Sequence, residues 1–217
     1  MPIKYLLLSI LAFFFIALLQ VDIFEVAFAK LGLTPQQSLF LLIGSLLGSA
    51  INLPLLQLQK IEQVDSVKWV IQKIIWGITR IKLNNTIVVA VNVGGCLIPL
   101  GLSLYFMSLQ VIDPIKIVTG VLAITVLSVQ SSQLIPGFGV AMPIFLAPLS
   151  AAFFALVIDP QHAAQLAYIS GVLGVLIGAD LLRIKTIAQL GTSVAVIGGA
   201  GTFDGIFLTG LIAALLA

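Results

Sequence analysis

Two aspartates lie in the most apolar part of the chain, and they are the residues best placed to do chemistry. Asp180 follows a glycine and an alanine near the end of one apolar run, and Asp204 follows a glycine-rich break in the next. Ionisable side chains at membrane depth cost about 2.5–3.5 kcal/mol on insertion scales, so they indicate function by default. Two neighbouring carboxyl groups can share one proton and activate water for hydrolysis. The same pair could bind and release a proton or cation during transport.

Each aspartate also has a structural explanation that competes with this chemistry. Asp180 lies three residues before Arg183, a spacing at which opposite charges pair on a helix. Asp204 comes two residues after Thr202, which we interpret as the N-cap of a half-helix. A carboxylate in the first turn of a helix is stabilised by the helix dipole. We predict that Asp180 and Asp204 form the catalytic pair, with these structural roles as the alternative.

Seven further residues are predicted to bind a ligand in the same cavity. An asparagine followed by two glycines interrupts one apolar run, a glutamine lies in a charge-free segment, and the break before Asp204 supplies the rest. Polar groups in lipid need a partner, which a cavity would provide. Nothing resembles a metal cluster, a phosphate loop or a dinucleotide fingerprint, so we expect no metal and no cofactor. The predicted binding residues are Asn92, Gly94, Gly95, Gln133, Gly199, Gly201 and Thr202.

The composition requires a membrane to surround these residues. Of the 217 residues, 60% are hydrophobic and only 8% are charged, whereas soluble domains carry about 25% charged residues. We therefore predict one transmembrane domain over residues 1–217, with the lipid bilayer as its first partner. The formal net charge of +2 is too small to indicate nucleic-acid binding.

The apolar runs predict about seven transmembrane helices and an all-α integral membrane protein. Residues 86–91 are rich in β-branched side chains and would form a strand in water. Lipid does not tolerate an unpaired strand edge, so we assign them to a helix. We interpret the first run as an uncleaved span and not as a signal peptide, because many apolar runs follow it. The predicted spans are about residues 3–21, 34–58, 86–109, 114–129, 144–158, 163–182 and 191–217.

One or two of these helices are predicted to be broken. The first break is Gly198–Gly201, and the second is the charge-free segment Pro136–Pro143, which forms either a tight turn or a re-entrant loop. Residues 60–82 are the one long polar stretch and have apolar residues at helical spacing. We predict an amphipathic helix there on the cytoplasmic surface, which either connects two spans or serves as a docking surface.

The basic residues predict an orientation, because cytoplasmic loops carry an excess of lysine and arginine. With residues 60–82 in the cytoplasm, only Lys30 and Lys116 lie outside the cell. We expect a multi-pass protein of the inner (plasma) membrane with a cytoplasmic N-terminus and an external C-terminus. The residues then inside are Lys4, Lys60, Lys68, Lys73, Arg80, Lys82, Arg183 and Lys185.

Four motifs resemble a family of bacterial and archaeal membrane proteins catalogued as domain of unknown function 1614. They are VNVGGCLIP at 91–99, PGFGVAMP at 136–143, GVLGVLIGADLL at 171–182 and IGGAGTFDGIFLTG at 197–210. The resemblance covers most of the chain after the first span and implies the membrane fold, but it carries no activity. A weaker likeness to presenilin-type and prepilin-peptidase-type aspartyl proteases rests on the two aspartates and their glycines. The chain lacks the tyrosine–aspartate pair, the strict glycine-x-glycine-aspartate and the proline-alanine-leucine of those enzymes.

Three functions from different classes follow. The first is an intramembrane aspartyl hydrolase that cleaves a membrane peptide and needs both aspartates close together. The second is a small ion- or proton-coupled transporter for a small solute, with Asp204 as the coupling site and Asp180 partly dispensable. The third is a membrane scaffold whose aspartates are structural and whose segment 60–82 docks a partner.

Overall fold

The structure, a computed structural model, describes residues 23–59, 86–135, 139–187, 194–199 and 205–217. The predicted first span at 3–21 and the predicted amphipathic helix at 60–82 lie outside these residues. Parts of both predicted breaks, residues 136–138 and 200–204, lie outside them as well. Asp204 is one of these residues.

The described chain is mostly helical. Two helices contain a wider turn of π geometry, at Val93–Leu97 in α3 and at Leu176–Leu181 in α6. The helices are α1 (Ile23–Lys30), α2 (Pro35–Gly48), α3 (Val93–Ser108), α4 (Pro114–Ser131), α5 (Leu146–Ile158), α6 (Pro160–Leu181), α7 (Ile184–Ile187) and α8 (Gly205–Leu216).

Local sequence explains where several helices begin. Each of α2, α4 and α6 starts with a proline, which has no backbone N–H to leave unsatisfied at that position. Thr34 caps α2 and accepts a hydrogen bond from the backbone N of Gln37. Asp113 caps α4 through a 2.8 Å bond from the backbone N of Ile115 to its carboxylate.

The strands form two small sheets. In the first, β2 lies between β1 and β5; β1 pairs with it antiparallel and β5 pairs with it parallel. In the second, β3 and β4 form a short antiparallel pair. The strands are β1 (Asn52–Gln59), β2 (Thr86–Asn92), β3 (Gln133–Ile135), β4 (Gly139–Ala141) and β5 (Val194–Ile197).

These strands correct the prediction of an all-α fold. The predicted spans at 34–58, 86–109 and 191–217 are each part helix and part strand. Helix α2 ends at Gly48, α3 begins only at Val93, and the strand β5 precedes α8. Lipid excludes a strand at 86–91 only if the edge of that strand is unpaired. Pairing on both sides of β2 removes that objection, since β1 and β5 satisfy its backbone groups.

Helix α6 lies at the centre of the bundle and packs against α8, α4, α5 and α3. Small residues let its neighbours approach closely, as is common between helices in membranes. A Cβ atom added at Gly178 would lie 2.6 Å from the carbonyl oxygen of Thr125 and 2.8 Å from the Cβ of Ser128 on α4. The last turn of α6 is therefore fixed against α4.

Two described helices, α4 and α6, are long and apolar enough to cross a membrane. A third crossing is added if α1 and α2, which meet at a bend of 117°, count as one broken span. Large apolar side chains cover the outside of the bundle; Phe40 is 77% exposed and Ile115 is 75% exposed. Such an exterior is compatible with insertion into lipid. Helices α3, α5 and α8 are apolar but shorter.

One end of the bundle gathers several polar contacts. Lys116 at the start of α4 forms a 3.0 Å ion pair with Asp159, between α5 and α6. The Nδ1 atom of His162 lies 3.3 Å from the same carboxylate oxygen. At the same end, Lys30 donates a 2.7 Å hydrogen bond to the carbonyl of Leu215, near the end of α8. Lys30 and Lys116, which the charge distribution predicts on the same side of the membrane, therefore lie at the same end of the bundle.

The Asp159 carboxylate is expected to make stability depend on acid pH. Burial opposes its ionisation, but the hydrogen bonds from Lys116 and His162 outweigh burial, and its pKa lies below the usual range. In the unfolded chain this pKa returns to about 3.9. The stabilisation is therefore present above about pH 4 and is lost as the pH falls through the lower, folded-state pKa.

We expect the unfolding temperature in detergent to fall as the pH drops below about 4, and this dependence to weaken in Asp159→Asn. Loss of a charge-assisted bond of about 1–2 kcal/mol should also lower the unfolding temperature at pH 7 by about 3–6 °C. Glu25→Gln, which removes an exposed carboxylate, is the control and should keep the wild-type profile. Equal acid sensitivity in Asp159→Asn and wild type would contradict this role.

Candidate functional site

A cavity of about 320 Å³ lies where the last turn of α6 meets the first turns of α8 and the β4 strand. Its size is at the lower end of the range for ligand sites. Most of its wall is apolar, and Asp180 is the ionisable side chain among the lining residues. The cavity is lined by Val140, Ala141, Met142, Ile144, Val175, Ala179, Asp180, Gly205, Ile206, Leu208 and Thr209.

Asp180 is positioned by the π turn Leu176–Leu181. Such turns are rare in α-helices overall, and many of those that do occur lie at functional sites. Gly178 of the same turn packs directly on α4, whereas Ala179 and Asp180 line the cavity. The turn therefore fixes the backbone on one side and presents a partly buried carboxyl group on the other.

Arg183, the partner of Asp180 in the structural alternative, also has a partner on α4. The guanidinium group of Arg183 donates to the backbone carbonyl of Val129 on α4. The pairing of Asp180 with Arg183 stays a prediction of the (i, i+3) spacing.

Asp204 lies outside the described residues, and so do Gly201 and Thr202. Gly205, which is covalently bonded to Asp204, begins α8 and lines the cavity together with Asp180. The other end of this connection is also described, since β5 leads into two glycines with positive φ angles, Gly198 at 81° and Gly199 at 80°. The chain thus turns sharply after β5 and returns at the cavity.

The predicted binding residues around Asn92 hold the fold together and do not line this cavity. Asn92 is fully buried, and its amide donates to the carbonyl of Ser49 at 2.7 Å and to the side chain of Asn52 at 2.9 Å. Its carbonyl oxygen accepts a 2.7 Å bond from the backbone N of Gly95. These bonds join the end of β2 to the start of α3 and to the connection between α2 and β1.

Two glycines of that group allow close backbone contact. A Cβ atom at Gly94 would overlap the backbone of Ser45 and Ser49, and one at Gly95 would overlap the carbonyl oxygen of Gly198. Gln133 is exposed in β3, beside Ala141 of β4, which does line the cavity. Polar and glycine residues in an apolar run predict a cavity, but their types do not distinguish ligand contacts from contacts between distant backbone segments.

The cavity wall also contains residues that no sequence pattern predicts as part of a site. Val140, Ala141 and Met142 form one wall, and Thr209 lies on the face of α8 that borders the cavity. Thr209 is one helical turn after Gly205, so the two residues share a face of the helix. This spacing is the sequence feature from which a position for Thr209 beside the break could be predicted. Among the described residues, no three histidine, cysteine or acidic side chains come together as a metal site.

Comparison with known proteins identifies a family and no activity. The family described as protein of unknown function (DUF1614) matches residues 46–216. No curated protein and no solved structure matches the chain, so the weaker likeness to presenilin-type proteases finds no support. The match covers α3 to α8, the strands and the cavity. On this match, the chain belongs to the DUF1614 family.

Proposed function

We propose that this protein is a membrane-embedded aspartyl hydrolase that cleaves peptide bonds, with Asp180 and Asp204 as its catalytic pair. The observation that supports the proposal is that Asp180 and Gly205, the residue bonded to Asp204, line one cavity in an apolar helical bundle. We place this cavity at membrane depth in a seven-span protein of the inner membrane, with the N-terminus in the cytoplasm and the C-terminus outside.

The proposed chemistry needs one ionised and one protonated carboxyl group. The ionised group takes a proton from a water molecule, whose oxygen attacks the peptide carbonyl carbon, while the protonated group donates its proton to the carbonyl oxygen. A hydroxyl group of the tetrahedral intermediate then returns a proton to the carboxyl group that donated one. The C–N bond breaks as the nitrogen takes the proton that the other carboxyl group had removed from water. A carboxylic acid and an amine leave, and the pair regains its single shared proton.

The apolar wall of the cavity suits this reaction. Electrostatic interactions are stronger where water is scarce. A small, mainly apolar cavity also favours a hydrophobic stretch of peptide over a polar solute. The substrate we propose is therefore a peptide segment that reaches the cavity from the membrane.

Coupled transport is the second candidate, because one feature of the chain favours it. The path from β5 through Gly198 and Gly199 to α8 interrupts a segment long enough to cross the membrane. Interrupted membrane segments, best known as discontinuous helices, form ion and substrate sites in transporters. In this alternative Asp204 carries the coupled proton or cation, and Asp180 tunes its affinity.

Reconstitution into lipid vesicles distinguishes the two candidates. A hydrolase is expected to cleave an internally quenched apolar peptide in vesicles and in detergent alike, with no ion gradient. A transporter is expected to cleave nothing and to take up protons or solute only when a gradient is imposed. Gradient-dependent uptake without cleavage would overturn the hydrolase proposal.

A further inference from the structure

The cavity contains a second polar side chain whose role the catalytic pair does not explain. Thr209 lines the cavity on α8 and is only 2% exposed. Within the part of the chain that the structure describes, its hydroxyl group makes no hydrogen bond. A hydroxyl group on a cavity wall that has no protein partner is free to bond a ligand, since it can both donate and accept.

Other hydroxyl-bearing residues show what Thr209 could have done. The hydroxyl of Thr119 donates to the carbonyl of Ile115 at 2.8 Å, and that of Ser103 donates to the carbonyl of Pro99 at 3.0 Å. Both bonds run to the residue four positions earlier in the same helix, the usual arrangement for such residues inside helices. Thr209 does not make the equivalent bond to Gly205, so its hydroxyl remains available.

The packing of the side chain indicates where that hydroxyl points. The Cγ2 methyl of Thr209 faces α6 and would lie 3.2 Å from a Cβ atom added at Gly171. Because the methyl and hydroxyl groups branch from the same Cβ atom, holding the methyl against α6 restricts the hydroxyl to another direction. The hydroxyl is then the part of Thr209 left to face the cavity.

A peptide in an apolar cavity needs such a group. An amide carbonyl moved from water into apolar surroundings without a hydrogen bond pays a penalty of several kcal/mol. Thr209 lies four residues, or about 6 Å along the helix, after Gly205. An extended peptide covers about 3.3 Å per residue. Thr209 is therefore about two peptide residues away from the end of α8 that adjoins Asp204.

We propose that Thr209 is a substrate-binding residue, whose hydroxyl donates to a backbone carbonyl of an apolar peptide about two residues from the cleaved bond. This inference rests on the proposed hydrolase function. It makes the peptide backbone, and not only an apolar side chain, part of what the cavity recognises.

Two substitutions separate the hydroxyl from the packing. Thr209→Val keeps the branched shape against Gly171 and removes the hydroxyl, whereas Thr209→Ser keeps the hydroxyl and removes the methyl. The probe is a fluorescent apolar peptide with a statine unit, whose secondary hydroxyl replaces the carbonyl at the cleaved bond and mimics the tetrahedral intermediate. We expect Thr209→Val to raise the Kd of this probe about five- to tenfold, and Thr209→Ser to leave it within about twofold.

A modified probe keeps the test valid if Thr209→Val proves unstable. Replacing the amide two residues from the statine unit with a trans-alkene removes the carbonyl oxygen and keeps the shape. Wild type should bind the alkene probe about five- to tenfold more weakly than the amide probe, and Thr209→Val should bind both equally. Equal binding of the two probes by wild type, at every amide position replaced, would overturn the Thr209 assignment.

Asp180→Asn separates this failure from failure of the function. If Asp180→Asn weakens probe binding and Thr209→Val does not, the Thr209 assignment is wrong and the hydrolase proposal stands. If wild type fails to bind the statine probe, or Asp180→Asn binds it unchanged, the hydrolase proposal and the Thr209 assignment are both overturned.

Discussion

The Asp180→Asn variant is expected to lose at least a hundredfold of peptide cleavage while it remains folded. Asparagine has the shape of aspartate but can neither accept nor donate the transferred proton. General acid–base catalysis contributes about 10²- to 10⁴-fold, and the pair acts as a unit, so losing either member should cost nearly the whole contribution. Asp204→Asn should therefore show a similar loss. The measurement is the initial rate of cleavage of the quenched apolar peptide in detergent.

Asp113→Asn is the matched control for both variants. It makes the same chemical change at the exposed cap of the start of α4, whereas the turn that carries Asp180 packs near the end of α4. Asparagine caps helices as well as aspartate does. Its cleavage rate should equal that of wild type. Near-wild-type cleavage by Asp180→Asn would exclude the shared-proton mechanism. Loss of gradient-driven uptake in Asp204→Asn, with uptake largely kept in Asp180→Asn, would favour coupled transport, in which Asp180 is partly dispensable.

Much of the architecture follows from features that are local in sequence. Low charge and long apolar runs predict a membrane bundle, and the proline starts at Pro35 and Pro114 coincide with the starts of α2 and α4. The glycine-rich break predicts the interruption before α8, although the segment ahead of it is the strand β5 and not half of a broken helix. Each of these features is decided by a few neighbouring residues, so a single sequence is enough to predict it.

The strands depend on partners that are far away in sequence. Val91 pairs with Ile197, more than one hundred residues later, and Asn52 pairs with Asn92. The β-branched composition of 86–91 does favour a strand. Whether lipid allows that strand depends on whether β1 and β5 cover its edges, and no local pattern contains this information. The helical prediction failed for this reason.

Only part of the cavity is predictable from the sequence, because most of its wall comes from segments that are distant along the chain. Asp180 was identified because a carboxyl group in an apolar helix is costly wherever that helix packs. The wall formed by Val140 and Met142 comes from a charge-free segment with no chemical signal of its own. Asn92 carried a strong polar signal, but its partners are Ser49, Asn52 and Gly95. Polarity in lipid shows that a partner exists and does not identify it.

Gly95 connects the buried hydrogen-bond network of Asn92 to the candidate site. A Cβ atom at position 95 would overlap the carbonyl oxygen of Gly198, a backbone atom that cannot rotate away as a flexible side chain could. Gly198 has a φ of 81° and lies at the end of β5, in the connection that leads to Asp204. A substitution at position 95 therefore acts on the backbone that precedes α8.

We expect Gly95→Ala to destabilise the protein by about 3 kcal/mol or more and to abolish most peptide cleavage. Overpacking a tight site commonly costs about 1–3 kcal/mol, and here the α3 or β5 backbone must move to relieve the overlap. Gly101→Ala is the control, because it makes the same change in the same helix at an exposed position with no atom within 4 Å. It should be neutral or stabilising by up to about 1 kcal/mol, since alanine favours helix. Thermal unfolding in detergent and the cleavage rate measure both effects. If the two variants behave alike, close contact between Gly95 and Gly198 does not set the position of α8.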